Sequence, residues 1–140
     1  MRTKLTITLT LLIILVSCEK LEFKHDIIGN WRIFGSGGGI TGRGNSYNFN
    51  FMSIKQGNDY QFIRNDTVIE KGTYKLIRNE NESFKTLGDY AITFSAKNRL
   101  GIGASQITSE SKIIQMVAND TIILADGYID DGFGYYFARQ

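Results

Sequence analysis

Short stretches with the two-residue alternation of β-strands recur between turn signals from Trp31 onward, and this pattern constrains the fold more than any other feature. In Tyr90-Ala91-Ile92-Thr93-Phe94 the large residues stand two apart, a spacing that places them on one face of a strand. Proline is absent, and the nine Phe, seven Tyr and one Trp all follow residue 18, which favours pleated structure over a disordered stalk. No long segment carries apolar residues at helical spacing, so we expect an all-β domain.

Turn signals divide this region into eight predicted strands. They are Trp31–Phe34, an alternation over Tyr47–Met52, Tyr60–Arg64, Thr67–Ile77, Tyr90–Phe94, Ser111–Val117, Thr121–Ala125 and Phe133–Arg139. The segment Lys97–Glu110 is ambiguous and favours a loop, and Leu21–Ile28 is the best candidate for a short helix. Consecutive strands with short links predict an up-and-down antiparallel meander, and closing it into an eight-stranded barrel removes its exposed edges.

The N-terminus has the layout of an export signal. Arg2 and Lys4 form a basic region, Leu5–Val16 is apolar or threonine without a charge, and Leu15-Val16-Ser17-Cys18 follows. Leu15–Cys18 resembles the lipobox of bacterial lipoproteins, which implies cleavage before Cys18 and its acylation, for example with palmitate. An ordinary secretory signal that places Cys18 near the cut is the alternative. We therefore predict a signal peptide over 1–17, a lipidated tether over 18–26 and a barrel domain over 27–140.

Processing changes the charge of the chain. Removal of residues 1–17 from the 140-residue chain leaves 123 residues with 14 basic and 14 acidic side chains, because Arg2 and Lys4 are lost. Nothing in this balance favours nucleic acid, which selects basic patches. We expect a monomer attached by its acyl anchor to the envelope of a Gram-negative bacterium, at the outer membrane. Attachment to the inner membrane and display at the surface stay open.

Several short motifs, taken in order, resemble lipocalins and the small lipocalin-like domains of bacterial lipoproteins. Gly29-Asn30-Trp31 is similar to their G-x-W start, Gly72-Thr73-Tyr74 to a mid-chain strand, and Asn119–Leu124 with Gly134–Phe137 to their closing hairpin. The resemblance implies an eight-stranded barrel whose tryptophan packs at the closed end beneath a late basic residue. Trp31 and Arg139 match those positions, so we expect a cation–π contact that closes the barrel. A solvated Arg139 near the chain end is the alternative.

An eight-stranded barrel either fills its interior with side chains or holds one small ligand. The candidate ligand-lining residues are Phe49, Phe51, Phe62, Tyr74, Leu76, Ile92 and Phe94. Together with the lipobox and the G-x-W start they predict an envelope binding module for a small apolar or amphipathic ligand. The same residues suit a packed core. The alternative is a filled barrel that docks an envelope protein or glycan through its loops or outer face.

The glycine-rich segment Phe34–Phe49 contains G-x-G-x-x-G at Gly37, Gly39 and Gly42. A dinucleotide-binding loop must open a helix, whereas the residues that follow alternate as a strand. We therefore expect no nucleotide cofactor, and interpret the segment as a loop between the first two strands. Whether it covers a ligand or only connects two strands stays open.

Catalytic and metal sites find little support in the sequence. His25 is the only histidine and Cys18 the only cysteine, so the usual triads and zinc sets are not expected. Asp126, Asp130 and Asp131 do not match a calcium-loop spacing and favour a solvated turn. We expect no enzyme, no metal and no cofactor.

Two turns carry a modification hypothesis. Asp66-Thr67-Val68 and Asp120-Thr121-Ile122 resemble a bacterial O-glycan acceptor pattern, and both fall at predicted hairpin turns of an exported chain. An intact mass equal to that of the lipidated polypeptide alone would remove this hypothesis.

Overall fold

The computed structural model describes residues 22–38, 47–82, 85, 87–99, 107, 111–117, 120–126 and 133–140. The strands are β1 (Gly29–Gly38), β2 (Phe51–Ile54), β3 (Asp59–Arg64), β4 (Thr67–Arg78), β5 (Tyr90–Arg99), β6 (Lys112–Val117), β7 (Thr121–Ala125) and β8 (Phe133–Arg139). A 3-10 turn, Gln56–Asn58, joins β2 to β3. Each strand pairs antiparallel with its neighbour in the chain and β8 returns to β1, so the barrel closes. The predicted all-β class and eight-stranded up-and-down topology are confirmed.

Alternating residues of every strand meet in a single core inside the barrel. Trp31 on β1, Met52 on β2 and Phe62 on β3 are fully buried and stand in register across the three strands. Ile107, from the connection between β5 and β6, is buried in the same cluster. Because every strand is paired on both sides, the sheet has no free edge, and the inward side chains of all eight strands form one shared core.

Part of the glycine-rich segment is strand rather than loop, which corrects the sequence prediction. β1 continues to Gly38, and its residues Gly35–Gly38 pair with β8 past an irregularity at Ile33. The ring of Tyr136 lies over the glycines, at 3.6 Å from the position of a Cβ on Gly35 and 3.7 Å from one on Gly37. An aromatic ring laid across strand glycines replaces packing that their missing side chains cannot supply.

Close approach of two strands explains the mid-chain glycine. A Cβ on Gly72 would stand 2.0 Å from the backbone oxygen of Ser95 on the neighbouring strand. The β4–β5 pairing shifts register between Lys71 and Gly72, and β5 continues to Arg99 beyond that bulge. The first residues of Lys97–Glu110, which the sequence favoured as loop, therefore belong to a strand.

A short helix precedes the barrel, as the sequence predicted. Residues 22–27 are helical, Ile27 is fully buried, and Phe23 stacks on Tyr90 with ring centroids 4.5 Å apart. Packing therefore begins inside the segment 18–26 that the sequence assigned to a tether. We call the end of the barrel that carries this helix the closed end, and the opposite end, where β3 turns into β4, the far end. No helix in the described ranges is long and apolar enough to cross a membrane.

Candidate functional site

The closed end is held by the contact expected between the first and last strands. Trp31 and Arg139 are register partners, and the guanidinium carbon lies 4.3 Å from the centroid of the indole. Arg139 also donates hydrogen bonds to the backbone oxygens of Ile28 (3.0 Å) and Asp26, while Trp31 Nε1 donates to that of Ile27 at 2.8 Å. The two side chains thus join the helix, β1 and β8.

Gly29 is required at this closure. Its φ of +152° is a conformation that side chains disfavour, and a Cβ there would stand 2.9 Å from Nη1 of Arg139. The glycine of the G-x-W motif thereby makes room for the guanidinium that covers the tryptophan.

The candidate ligand-lining residues are largely a packed core. Six of the seven belong to the buried cluster: Phe49, Phe62, Tyr74, Leu76, Ile92 and Phe94. Their rings touch, with centroids 4.6 Å apart for Phe49 and Phe62 and 5.8 Å for Phe62 and Phe94; Tyr60 approaches Phe94 at 4.8 Å. These separations are those of direct aromatic contacts, which leave no room for a molecule between the rings.

Phe51 corrects the sequence prediction, which placed it on the same face as Phe49. Phe51 is half-buried on the outer face, where it pairs with the exposed Arg32, while Met52 turns inward. The cause is a bend at Asn50, whose backbone oxygen accepts from the Ile33 N–H at 3.0 Å and whose N–H donates to Ile63 at 2.8 Å. The bend shifts the alternation by one residue, which moves a side chain to the other face.

Charged groups also lie within the barrel wall. Glu70 is fully buried and accepts a hydrogen bond from the Tyr60 hydroxyl at 2.7 Å. Lys112 is buried and paired with Asp126. A buried charge needs a hydrogen-bonded partner to be tolerated, and both carboxylates have one. The two charged residues that are buried in the described ranges, Glu70 and Lys112, thus each have a partner within the protein.

Acidic groups in the described ranges do not converge on a metal. No group of three or more His, Cys, Asp or Glu stands close enough there to hold an ion. Of the acidic turn singled out in the sequence, Asp126 is engaged with Lys112, and Asp130 and Asp131 lie outside the described residues. His25 is exposed on the N-terminal helix.

A cleft of about 610 Å³ opens on the outer face of the far end. We call it the outer cleft; it is lined by Arg32, Ile33, Phe34, Tyr47, Asn50, Phe51, Asn65 and Asp66. Phe34 is 54% exposed and Tyr47 37% exposed. These two rings line the cleft together with polar side chains, a mixture that small-molecule sites commonly use.

Backbone contacts fix the polar side of the outer cleft. Asn50 joins two neighbouring strands through its backbone, and its side-chain oxygen accepts the Asn65 N–H at 3.0 Å. Asn65 and Asp66 have φ of 47° and 62°, the left-handed pair of a two-residue type I′ hairpin turn. The amide and carboxylate side chains are therefore carried on a rigid frame of strand ends.

A second depression of about 440 Å³ lies beside the N-terminal helix at the closed end. Its lining includes Phe23 and Tyr90, which stack on each other, and the charged residues Glu22, Lys85 and Asp89. Because its apolar rings are already paired, this groove is primarily a helix-docking seam.

Several sequence predictions fall outside the described residues. They are Cys18 with the signal peptide over 1–17, the glycines of residues 39–44, and Asn119. Of the two proposed glycan acceptors, Thr67 is exposed, whereas Thr121 is half-buried and donates to Asp120 at 3.1 Å. Glycosylation stays a hypothesis.

The sequence missed the outer cleft because its residues come from separate strands and a turn. The signal that could have found Phe34 is its place directly after the inward Ile33 and directly before Gly35, which has no side chain to cover it. Scans against protein-family models, curated proteins and solved structures each return no match. The lipocalin resemblance therefore rests on the motif residues and on the barrel itself.

Proposed function

We propose that the protein is a lipid-anchored docking module of the Gram-negative envelope, a filled barrel that binds an envelope protein or glycan through its outer face and performs no catalysis. An eight-stranded barrel is compatible with a binding module. Of the two binding modes that the sequence leaves open, the packing of this barrel supports docking on the outside.

The observation that carries the proposal is the mutual contact of the interior rings. Phe49, Phe62 and Phe94 form a continuous cluster with Tyr60 through tilted and edge-to-face contacts, and each is at most 5% exposed. A ligand among them would have to displace large buried side chains that contact one another, and that costs several kcal/mol, about 3 to 5 for each ring removed. Exposed rings at the outer cleft carry no such cost.

The position of the helix supports an outward-facing docking surface. Three residues separate Cys18 from residue 22, where the described helix begins, and the four residue steps between the two Cα atoms span at most about 14 Å. An acylated Cys18 would hold the closed end beside the membrane. The outer cleft lies at the opposite end, where the Asn65-Asp66 turn joins β3 to β4, and would face away from the bilayer.

Photo-crosslinking in the envelope tests the docking face. A photoreactive amino acid at position 34 should yield crosslinked species containing protein or polysaccharide. The same group at Val117, which is 40% exposed near the closed end, is the matched control and should yield none of them. An identical pattern at both positions, or none at either, contradicts docking through the outer cleft.

Fractionation tests the anchor. Cys18→Ala should move the protein from the membrane fraction to the soluble fraction, since stable membrane attachment would depend on the acyl chains. Cys18→Ala protein that stays with the membrane contradicts the acyl anchor and leaves the docking proposal to the crosslinking experiment.

A further inference from the structure

We propose that the outer cleft is a saccharide-binding site, which takes an uncharged oligosaccharide across Phe34 and Phe51. The inference rests on the proposed function and narrows its partner to one chemical class.

The size of the cleft fits a short oligosaccharide. Its volume of about 610 Å³ lies within the range of small-molecule sites, roughly 300 to 1,000 Å³. The cleft is built on the outer face of a closed sheet, where Arg32 and Phe51 are register partners on adjacent strands. A site mounted on paired strands keeps its geometry without a ligand.

Exposed rings supply the apolar half of saccharide recognition. The face of an aromatic ring carries negative potential, and it attracts the partly positive C–H groups on the flat side of a sugar ring. Phe34 presents its ring at 54% exposure, beside Tyr136 with centroids 6.2 Å apart, and Phe51 lies half-buried on the neighbouring strand. These rings make a platform rather than a closed apolar groove.

Polar groups around the rings supply the other half. Sugar hydroxyls both donate and accept, and the lining offers both functions: Arg32 donates, Asp66 accepts, and the carboxamide of Asn65 can do either. The Asn50 side-chain oxygen already accepts from the Asn65 N–H, so Asn50 offers its amide nitrogen as a donor. An acyl chain would leave these groups unsatisfied. The charged residues among the described lining, Arg32 and Asp66, balance each other, so the cleft has no excess charge with which to select a phosphate or another anion.

The hairpin turn places the side chain of Asp66 at the rim of the outer cleft. Type I′ turns favour glycine at the second central position, because φ is positive there, and Asp66 occupies that position with φ of 62°. Aspartate is also common at such positions. Here Asp66 carries a carboxylate at the rim of the outer cleft, where it can accept from a sugar hydroxyl.

Chemical-shift mapping on the isotope-labelled, purified protein tests the assignment. The probes are chitohexaose, maltohexaose and cellohexaose, which are uncharged and differ in linkage and substituent. At least one should produce saturable shifts at residues 32–34, 47–51 and 65–66. Phe34→Ala and Phe51→Ala should each weaken that affinity about tenfold, the effect of removing a main contact residue.

Asp66→Gly separates recognition from folding. It should weaken affinity by roughly tenfold, the typical loss of a hydrogen bond to a charged group, without lowering the melting temperature. Val117→Ala, at an exposed position near the closed end, is the control and should bind as the wild type does. A purely structural Asp66 would leave affinity unchanged.

Three outcomes overturn the saccharide assignment: no shift with any of the probes, shifts confined to residues away from the outer cleft, or affinity that survives both phenylalanine substitutions. Its failure is distinguishable from that of the docking proposal. Crosslinking from position 34 to a protein, together with absent saccharide shifts, keeps docking and rejects the saccharide. Absence of both results rejects docking as well.

Discussion

Strand β1 passes through two regions that use the same kind of residue in opposite ways. At the closed end, Trp31 is fully buried, its indole N–H is hydrogen-bonded, and Arg139 covers its face. Three residues later, Phe34 is 54% exposed beside a cleft lined by amide and charged groups. The first ring joins the helix to the first and last strands, whereas the second ring stabilises little by burial.

This contrast indicates where a partner can bind without loss of stability of the fold. A buried ring contributes through the water-exposed area that folding removes, and an exposed ring keeps that area for a partner. The interior rings, with centroids 4.6 to 5.8 Å apart, therefore stabilise the fold as Trp31 does, and the rings of the outer cleft differ from them. Substitutions in the two regions test whether buried and exposed side chains differ in this way.

The largest expected effect is that of Trp31→Ala. Deleting a fully buried tryptophan should lower the free energy of unfolding by about 3 to 5 kcal/mol. Phe34→Ala, the matched substitution on the same strand, should change it by no more than about 0.5 kcal/mol because the ring is mostly exposed. Urea denaturation of both variants measures the contrast. Similar losses in the two variants would erase the distinction between the regions.

Arg139→Ala should have the next largest effect. It removes the cation–π contact and the hydrogen bond to the Ile28 oxygen, so we expect a loss of about 1 to 2 kcal/mol in the free energy of unfolding. Arg139→Lys keeps the charge but lacks the planar fork, and it should recover only part of that loss. Denaturant titration compares the variants. An Arg139→Ala protein as stable as the wild type would support a solvated arginine.

Alkaline pH should lower the free energy of unfolding of the barrel through Tyr74. Burial, and then the nearby Asp59 carboxylate, raise the pKa of the Tyr74 phenol above 10.0. The folded state thus holds this proton more tightly than the unfolded state, so the contribution is intact below about pH 10 and is lost as pH rises through the folded pKa. Denaturation between about pH 9 and pH 11 should show the decline.

Two variants isolate that pH effect. Tyr74→Phe should flatten the decline, because it removes the titrating group. Tyr47→Phe, at an exposed ring of the outer cleft, should retain it. A decline of equal slope in wild type and Tyr74→Phe would show that other groups cause the alkaline loss.

Asp66→Gly should have the smallest effect on stability. Glycine relieves the positive φ at this turn position, so the free energy of unfolding should change by less than about 0.5 kcal/mol or rise slightly. Thermal unfolding of the Asp66→Gly variant measures this change. A loss above about 1 kcal/mol would mean that the Asp66 side chain is part of the frame of the turn.

Local patterns made the barrel predictable but left its outer cleft hidden. Thr121–Ala125 and Phe133–Arg139 were predicted with the bounds that the structure has, because their alternation matches a strand with one face in the core. Phe51 was misplaced because a single bend at Asn50 shifts the alternation, and that bend depends on hydrogen bonds from two other strands. Gly35–Gly38 were predicted as loop because the ring that covers them, Tyr136, lies about a hundred residues away in the sequence.

Native mass spectrometry of the protein extracted from its own membranes is the most direct test of whether side chains fill the interior of the barrel. A barrel filled by its own rings should appear at the mass of the processed, lipidated polypeptide, and solvent extraction should release no apolar molecule in stoichiometric amount. A one-to-one apolar ligand, retained in the folded protein and released on denaturation, would contradict the filled interior and return the binding site to the inside of the barrel.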